Sequence, residues 1–357
     1  ANGCTASASA TVINAAAFTV AITSNCANWQ VGNQAVLTAT PSVAGTYTYL
    51  WNNGSTNQTR NANNANTYSV TVTDAYGCTA TASFVLAGGP LNGTYTVNSA
   101  AGNACGTFNS LANVITHLNT YGVSGNVIVN VPAGYTETAP AGGFQIKTCA
   151  LSSSVTPGPA QTVTIQKSGA GANPLLTAPV GASTTVDGIF KIVGADNVTI
   201  DGISLQESAA NTTATTQMEW GYAILKCDSN GANNVVIQNC VITLNRANTA
   251  SNGIYTASHG EANNTVFAVR PSTGGTAADQ AFRNKISLIN NTVTNSYWGI
   301  RVGGDANASL TVSGASCNDT LNLIQGNTIS NYGGGAVAAN GIWYANQRGV
   351  TIRNNTI

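Results

Sequence analysis

The chain has 357 residues, of which only 7% are charged, and its 12 Lys plus Arg balance 12 Asp plus Glu. A globular protein ordinarily carries roughly 25% charged residues, so solubility here rests on Asn, Thr, Ser and Gly. The balance leaves no basic stripe for nucleic acid, and no apolar run approaches the ~18 residues that span a bilayer.

Hydrophobic residues make up 43% of the chain, many in short β-branched runs, so packed β structure is expected and not disorder. The eight cysteines form no C-x-x-C pair, and His117 and His259 stand apart from them. No metal site or cofactor is indicated. Scattered single cysteines in such a chain point to disulfides and an oxidising, extracellular compartment. The opening ANGCTASASATV lacks the basic and apolar regions of a signal peptide.

From Phe18 to Leu86 the segments FTVAIT, QAVLTAT, TYTYLW and TYSVTVTD alternate apolar and polar residues between turn signals. This pattern predicts an Ig-like antiparallel sandwich over residues 17–88, with Tyr49, Trp51, Tyr68, Val70 and Val72 in its core. Residues 74–86, DAYGCTATASFVL, echo residues 1–13, ANGCTASASATVI. Residues 1–16 are thus expected to be the last strand of a preceding copy. YLWNNGSTNQT followed by YSVTVTDAYGCTATAS resembles the SprB-type repeats of Bacteroidetes surface proteins. The resemblance covers about 70 residues. It implies a tandem-repeat surface protein exported by the type IX secretion machinery, as in gliding motility, and no catalytic activity. Cys26 and Cys78 lie near the two ends of this module and are candidates for a bridge. Cys4 occupies the place equivalent to Cys78 and is expected to lack a partner.

Ala87-Gly88-Gly89-Pro90 forms the linker. Beyond it, residues 89–357 are expected to form a parallel β-helix whose first part, 93–125, is a cap. Leu111, Val114, Ile115 and Leu118 have helical spacing and Gly122 stops the run. This helix would cover the open end of the first coil, with His117 as a surface or cap residue. Then TIDGISL (199–205), VIQNCVI (236–242), SLINNTV (287–293), LIQGNTI (323–329) and TIRNNTI (351–357) repeat at spacings of 37, 51, 36 and 28. A coil needs about 20–30 residues, so the excess must leave as loops. VDGIF, WGYAI, NGIY, WGIRV and NGIWY alternate with these, as expected if each coil feeds at least two sheets. The crossover rule favours a right-handed coil. The run resembles the right-handed β-helices of the pectate-lyase-like superfamily, a likeness that implies fold more than function. The last repeat ends without a cap, so the helix is expected to continue past Ile357.

Asn at the turn suits the left-handed conformation, and its amide can bond the Asn one coil away. Asn290, Gly326 and Asn354 align, as do Asn291, Asn327 and Asn355, and Cys240 stands in the second row. Cys227 with Cys240, and Cys105 with Cys149, are further candidate bridges. Cys317 has no assigned partner.

The pectate-lyase resemblance implies a carboxylate cluster, often holding calcium, beside a basic residue. Asp187, Asp196, Asp201, Asp228, Asp305 and Arg301 are the available groups. Asp187 and Asp201 do not stack with other carboxylates, so both read as turn residues, no calcium site is indicated and no catalytic residue is assigned. His259-Gly260-Glu261 lies in a loop with no assigned role. A row two places after each aligned glycine, Phe190, Ala223, Tyr255, Arg301 and Trp343, should point outward because Ile254, Ile300 and Ile342 point inward. It is either a platform for sugar rings or a second core under long loops. Asp319-Thr320-Leu321 matches a short O-glycosylation pattern at Thr320. The expected function is a structural or adhesive segment of a surface protein, binding glycans or copies of itself in a fibre. The alternative is a carbohydrate-active enzyme, lyase-like if active, on the same helix.

Overall fold

The computed structural model describes residues 3–4, 7–8, 17–98, 105–147, 161–227, 230–257, 259–261, 284–304, 319–336, 338–345 and 347–357. Among the described residues the chain is all-β apart from one helix of 11 residues, and it divides into two compact units, Ala1–Trp29 with Asn33–Gly88, and Gln30–Gly32 with Gly89–Ile357. No helix among the described residues is long and apolar enough to cross a membrane.

The first unit holds two three-stranded antiparallel sheets. One pairs Ala35–Pro41 with Val20–Ser24 and Thr59–Ala62; the other pairs Asn66–Asp74 with Tyr47–Trp51 and Thr79–Leu86. Alternation places Leu37, Ala39, Trp51, Tyr68, Val70 and Val72 in one core, while Tyr49 packs on it partly buried. Residues 1–16 fall mostly outside the described positions. Cys4 and Cys78 are free and exposed, whereas Cys26 is disulfide-bonded and buried. The expected Cys26–Cys78 bridge is therefore absent. Cys78 closes the turn after Asp74, its N–H bound to Asp74 Oδ1 at 2.8 Å, and faces solvent.

Among the described residues the second unit has three long parallel sheets that the chain visits in turn, the arrangement expected of a β-helix, and one short parallel pair, Asp319–Thr320 with Gln347–Arg348. The first sheet runs from Thr107–Phe108 through Leu91–Val97, Val123–Pro132, Val163–Ser168, Val198–Asp201, Asn233–Gln238, Lys285–Ile289 and Leu323–Gln325 to Thr351–Arg353. The second runs from Thr136–Thr138 through Leu175–Thr177, Ser204–Gln206, Val241–Thr243 and Thr292–Thr294 to Thr328–Ser330. The third runs from Phe144–Lys147 through Gly188–Val193, Trp220–Leu225, Asn252–Thr256 and Trp298–Gly303 to Ile342–Ala345. Like side chains stack along each inner face. Ile165, Ile200, Ile237, Leu288 and Ile324 form one column, and Leu176, Leu205, Ile242, Val293 and Ile329 a second. Phe144, Phe190, Tyr222, Ile254, Ile300 and Ile342 form the third.

Helix Leu111–Tyr121 starts at Ser110, whose hydroxyl accepts from the Asn113 N–H, and stops at Gly122 with φ +68. Leu111, Val114, Ile115 and Leu118 join the same core as the strands. His117 is not a surface residue: it is fully buried, its Nε2 bonds Gly89 O at 2.8 Å, and burial lowers its pKa.

Two devices make the corners. Between the first and second sheets, Gly202, Asn239, Asn290, Gly326 and Asn354 take positive φ. The next position carries an amide ladder. Asn291 N–H donates to Asn327 Oδ1 and Asn327 N–H to Asn355 Oδ1, both at 2.9 Å, while Asn327 Nδ2 donates to Leu288 O. At the start of the third sheet, Gly221, Gly253 and Gly299 pass close to the second sheet. A Cβ on Gly299 would lie 2.2 Å from Gly341 O and 2.5 Å from Ile329, which explains the recurring Trp-Gly and Asn-Gly pairs.

Cys240 sits in the ladder row inside the coil, near Tyr222, and burial pushes its thiol up to about 12. It is free. Cys227, which is disulfide-bonded, belongs to a cluster on the outer face of the third sheet. The two sulfurs belong to different clusters, Cys240 in the coil core and Cys227 on the outer face, and with Cys240 free the expected Cys227–Cys240 bridge is absent. Cys105 is disulfide-bonded, while Cys149 and Cys317 lie outside the described residues.

Asn327→Ala strands the Leu288 carbonyl and two ladder N–H groups inside the corner. It is expected to cost roughly 2–4 kcal/mol, read as a lower midpoint in urea unfolding. Unchanged stability would remove the ladder as a structural support.

Candidate functional site

The outward row of the third sheet is Lys191, Ala223, Tyr255, Arg301 and Trp343. Tyr255, Arg301 and Trp343 are where the repeat placed them, and Phe190 is not. Gly188 pairs with Trp220 and not with Gly221, so the strand is shifted by one residue against the glycine alignment. A shift of one residue exchanges the faces of a strand. Phe190 therefore packs in the core between Phe144 and Tyr222, and Lys191 takes the outer position.

The near end of the row is covered. Val193, Trp220, Ala223, Leu225 and Cys227 form a buried cluster on the outer face, against which Val186 and Tyr255 pack. Lys191 is buried beside them, and burial lowers its pKa, partly offset by Asp187. The expected second core is thus present at this end. The far end is half-open. Arg301 lies with its guanidinium carbon 5.1 Å from the Trp298 ring centre, 5.0 Å from Trp343 and 5.9 Å from Tyr255. Among the described residues its guanidinium makes no ion pair.

Tyr255 joins the two ends. Its ring stacks on Trp220 at 5.1 Å with planes 3° apart, and its hydroxyl is 2.7 Å from His259 Nε2. His259 Nδ1 faces Gly260 O at 2.8 Å. A carbonyl only accepts, so the proton sits on Nδ1 and the Tyr255 hydroxyl donates to Nε2.

A cleft of about 170 Å³ opens here, lined by Glu219, Trp220, Asn252, Tyr255, Trp298 and Arg301 together with Thr184, Thr185, Thr249 and Ala250. It has room for a single small ring, below the size of drug-binding pockets. Glu219 accepts from Asp187 N–H at 3.0 Å and from Asn248 Nδ2 at 3.1 Å, yet burial pushes its carboxyl up to about 7. A carboxyl whose pKa burial raises thus lines the same cleft as Arg301 and the Trp220, Tyr255 and Trp298 rings. Glu219 carried no signal in the sequence beyond its place before the Trp-Gly pair.

The other candidates do not gather here into a catalytic set. Asp187 Oδ2 accepts from Ala182 and Ser183 N–H groups, and Asp201 accepts from Gln238 and Asn239 side chains. Both are turn and ladder residues. Asp196 accepts from Asn233 N–H. Asp228 and Asp305 lie outside the described residues, as does the side chain of Thr320. Among the described residues no group of three or more His, Cys, Asp or Glu side chains is placed to hold a metal ion.

Compared with protein-family models, curated proteins and solved structures, the chain matches none.

Between pH about 4.5 and about 7 the folded chain keeps a proton on Glu219 that the unfolded chain has released. Stability therefore falls as pH rises through that window, by on the order of 3 kcal/mol from this group. In Glu219→Gln the slope of unfolding free energy against pH should flatten over the same window. An identical slope in the variant would show that Glu219 ionises normally.

Proposed function

We propose that the chain is an adhesive segment of an extracellular surface protein, an Ig-like repeat leading into a right-handed β-helix that binds glycans on its third sheet. The observation that carries this reading is Arg301 held among Trp298, Trp343 and Tyr255 at the edge of a cleft. Aromatic faces take the apolar faces of sugar rings, and a guanidinium fixed by stacking pairs with a carboxylate or sulfate on the sugar. The helix Leu111–Tyr121 serves as the cap of the first coil in this reading. The low charge and disulfide-bonded Cys26, Cys105 and Cys227 support an oxidising, extracellular setting. The SprB-type motif supports export by the type IX machinery.

A second reading has one observation in its favour. Glu219, whose carboxyl burial pushes up to about 7, is suited to protonate a leaving oxygen. A glycan cleaved in this cleft would make the helix an enzyme.

Titration calorimetry with neutral and acidic oligosaccharides tests both. Binding should favour the acidic ones. Arg301→Ala and Trp298→Ala should each weaken it about tenfold, or 1.4 kcal/mol, without changing the circular dichroism. Equal binding by both variants would remove the platform. Product release by the native chain, lost in Glu219→Gln, would replace adhesion with catalysis.

A further inference from the structure

Lys226 and Asp319 are 93 positions apart in the chain. Lys226 directly follows the strand Trp220–Leu225, and Asp319 opens the short strand Asp319–Thr320. Lys226 Nζ lies 3.2 Å from Asp319 Oδ1, and neither side chain has any solvent exposure. Complete burial of either residue type is rare. Two full charges in such a place lose several kcal/mol of hydration each. Burial holds the Asp319 carboxyl above its ordinary range, opposed by Lys226 and by the Asn284 N–H. Transfer of one proton within such a pair gives an acid beside an amine, the species that condense to an amide.

The surroundings favour that step. Asp319 Oδ1 accepts the backbone N–H of Asn284 at 2.9 Å. This donor faces the oxygen on which negative charge would develop. Asn284 is itself held, its Oδ1 by Ala232 N–H at 2.9 Å and its Nδ2 against Thr256 Oγ1 at 3.3 Å. Groups fixed in contact react with effective concentrations of about 10⁵–10⁸ M.

We propose that Lys226 and Asp319 condense into an intramolecular isopeptide bond once the coils have stacked. After Nζ passes a proton to the carboxylate within the pair, Nζ attacks Cγ, forming the C–N bond, and the carbonyl electron pair moves to Oδ1 against the Asn284 N–H. The C=O then re-forms, the Cγ–Oδ2 bond breaks, and the leaving hydroxyl takes one proton from Nζ to depart as water. No oxidant, reductant or co-reactant is needed. The product ties the end of a third-sheet strand to a coil two turns on. Such a link would survive reduction and mechanical load, which disulfides and stacked hydrogen bonds do not both do.

Intact mass spectrometry of the full chain, denatured and reduced so that disulfides do not contribute, decides the matter. The expected mass is below the sequence mass by one water. Tryptic digestion should leave the bond after Lys226 uncut and yield a branched peptide joining Lys226 to Asp319. Lys226→Arg and Asp319→Ala should restore their full sequence masses, whereas Asp319→Asn should form the link with loss of ammonia. A native chain at full sequence mass, cut by trypsin after Lys226, overturns the proposal. So does a water loss mapped to other residues. The native chain alone gives the deciding reading, so a variant that fails to fold does not obscure it.

Discussion

Backbone satisfaction between coils is the constraint on which the second unit depends. A parallel strand of three to six residues has no local partner; each N–H and C=O must find the coil before it or after it. Because every coil meets the same demand, the side chains are forced into register as well. That register produces the three aliphatic and aromatic columns, and it makes the interior a stack of similar layers and not a set of unique contacts. Charge is scarce for the same reason. Like charges placed in register would stack at the inter-strand spacing of about 4.8 Å, whereas Asn and Thr stack with hydrogen bonds.

The corners are where this regularity is hardest to keep, and the chain meets them with small and amide side chains. Asn and Gly supply positive φ at one corner, and the next Asn turns inward to satisfy the carbonyls that the bend leaves over. Glycine at the start of the third sheet admits a close approach that any Cβ would block. Cys240 keeps the ladder position without an amide. Its N–H donates to the Asn291 side-chain Oδ1, and its sulfur accepts from the Tyr222 hydroxyl.

The proposed binding rests on what the coil does not need. Outer-face positions are free of the core's demands, and here they collect Trp220, Tyr255, Arg301, Trp298 and Trp343 into one strip. Loops from several coils convert part of the strip into a second core and leave part open. The same loops bring Glu219 to the cleft and His259 to Tyr255. The buried pair Lys226–Asp319 is separate from this cleft.

Much of the coil was legible in the sequence, because a repeating constraint leaves a repeating pattern. TIDGISL through TIRNNTI marked the first corner, with Asn291, Asn327 and Asn355 in one row, and Leu111 to Leu118 marked the helix. Tyr255, Arg301 and Trp343 followed from the phase of Ile254, Ile300 and Ile342. The tertiary structure decided whatever depends on an exact register or on loops. A shift of one residue at Gly188 sent Phe190 into the core and brought Lys191 out, since strand faces alternate with a period of two. Proximity in sequence misplaced Cys227 and Cys240, which belong to different clusters, while Lys226 and Asp319, far apart in the chain, meet within bonding distance. Local spacing determines the strand and the corner; only the stacking of coils determines which distant side chains touch.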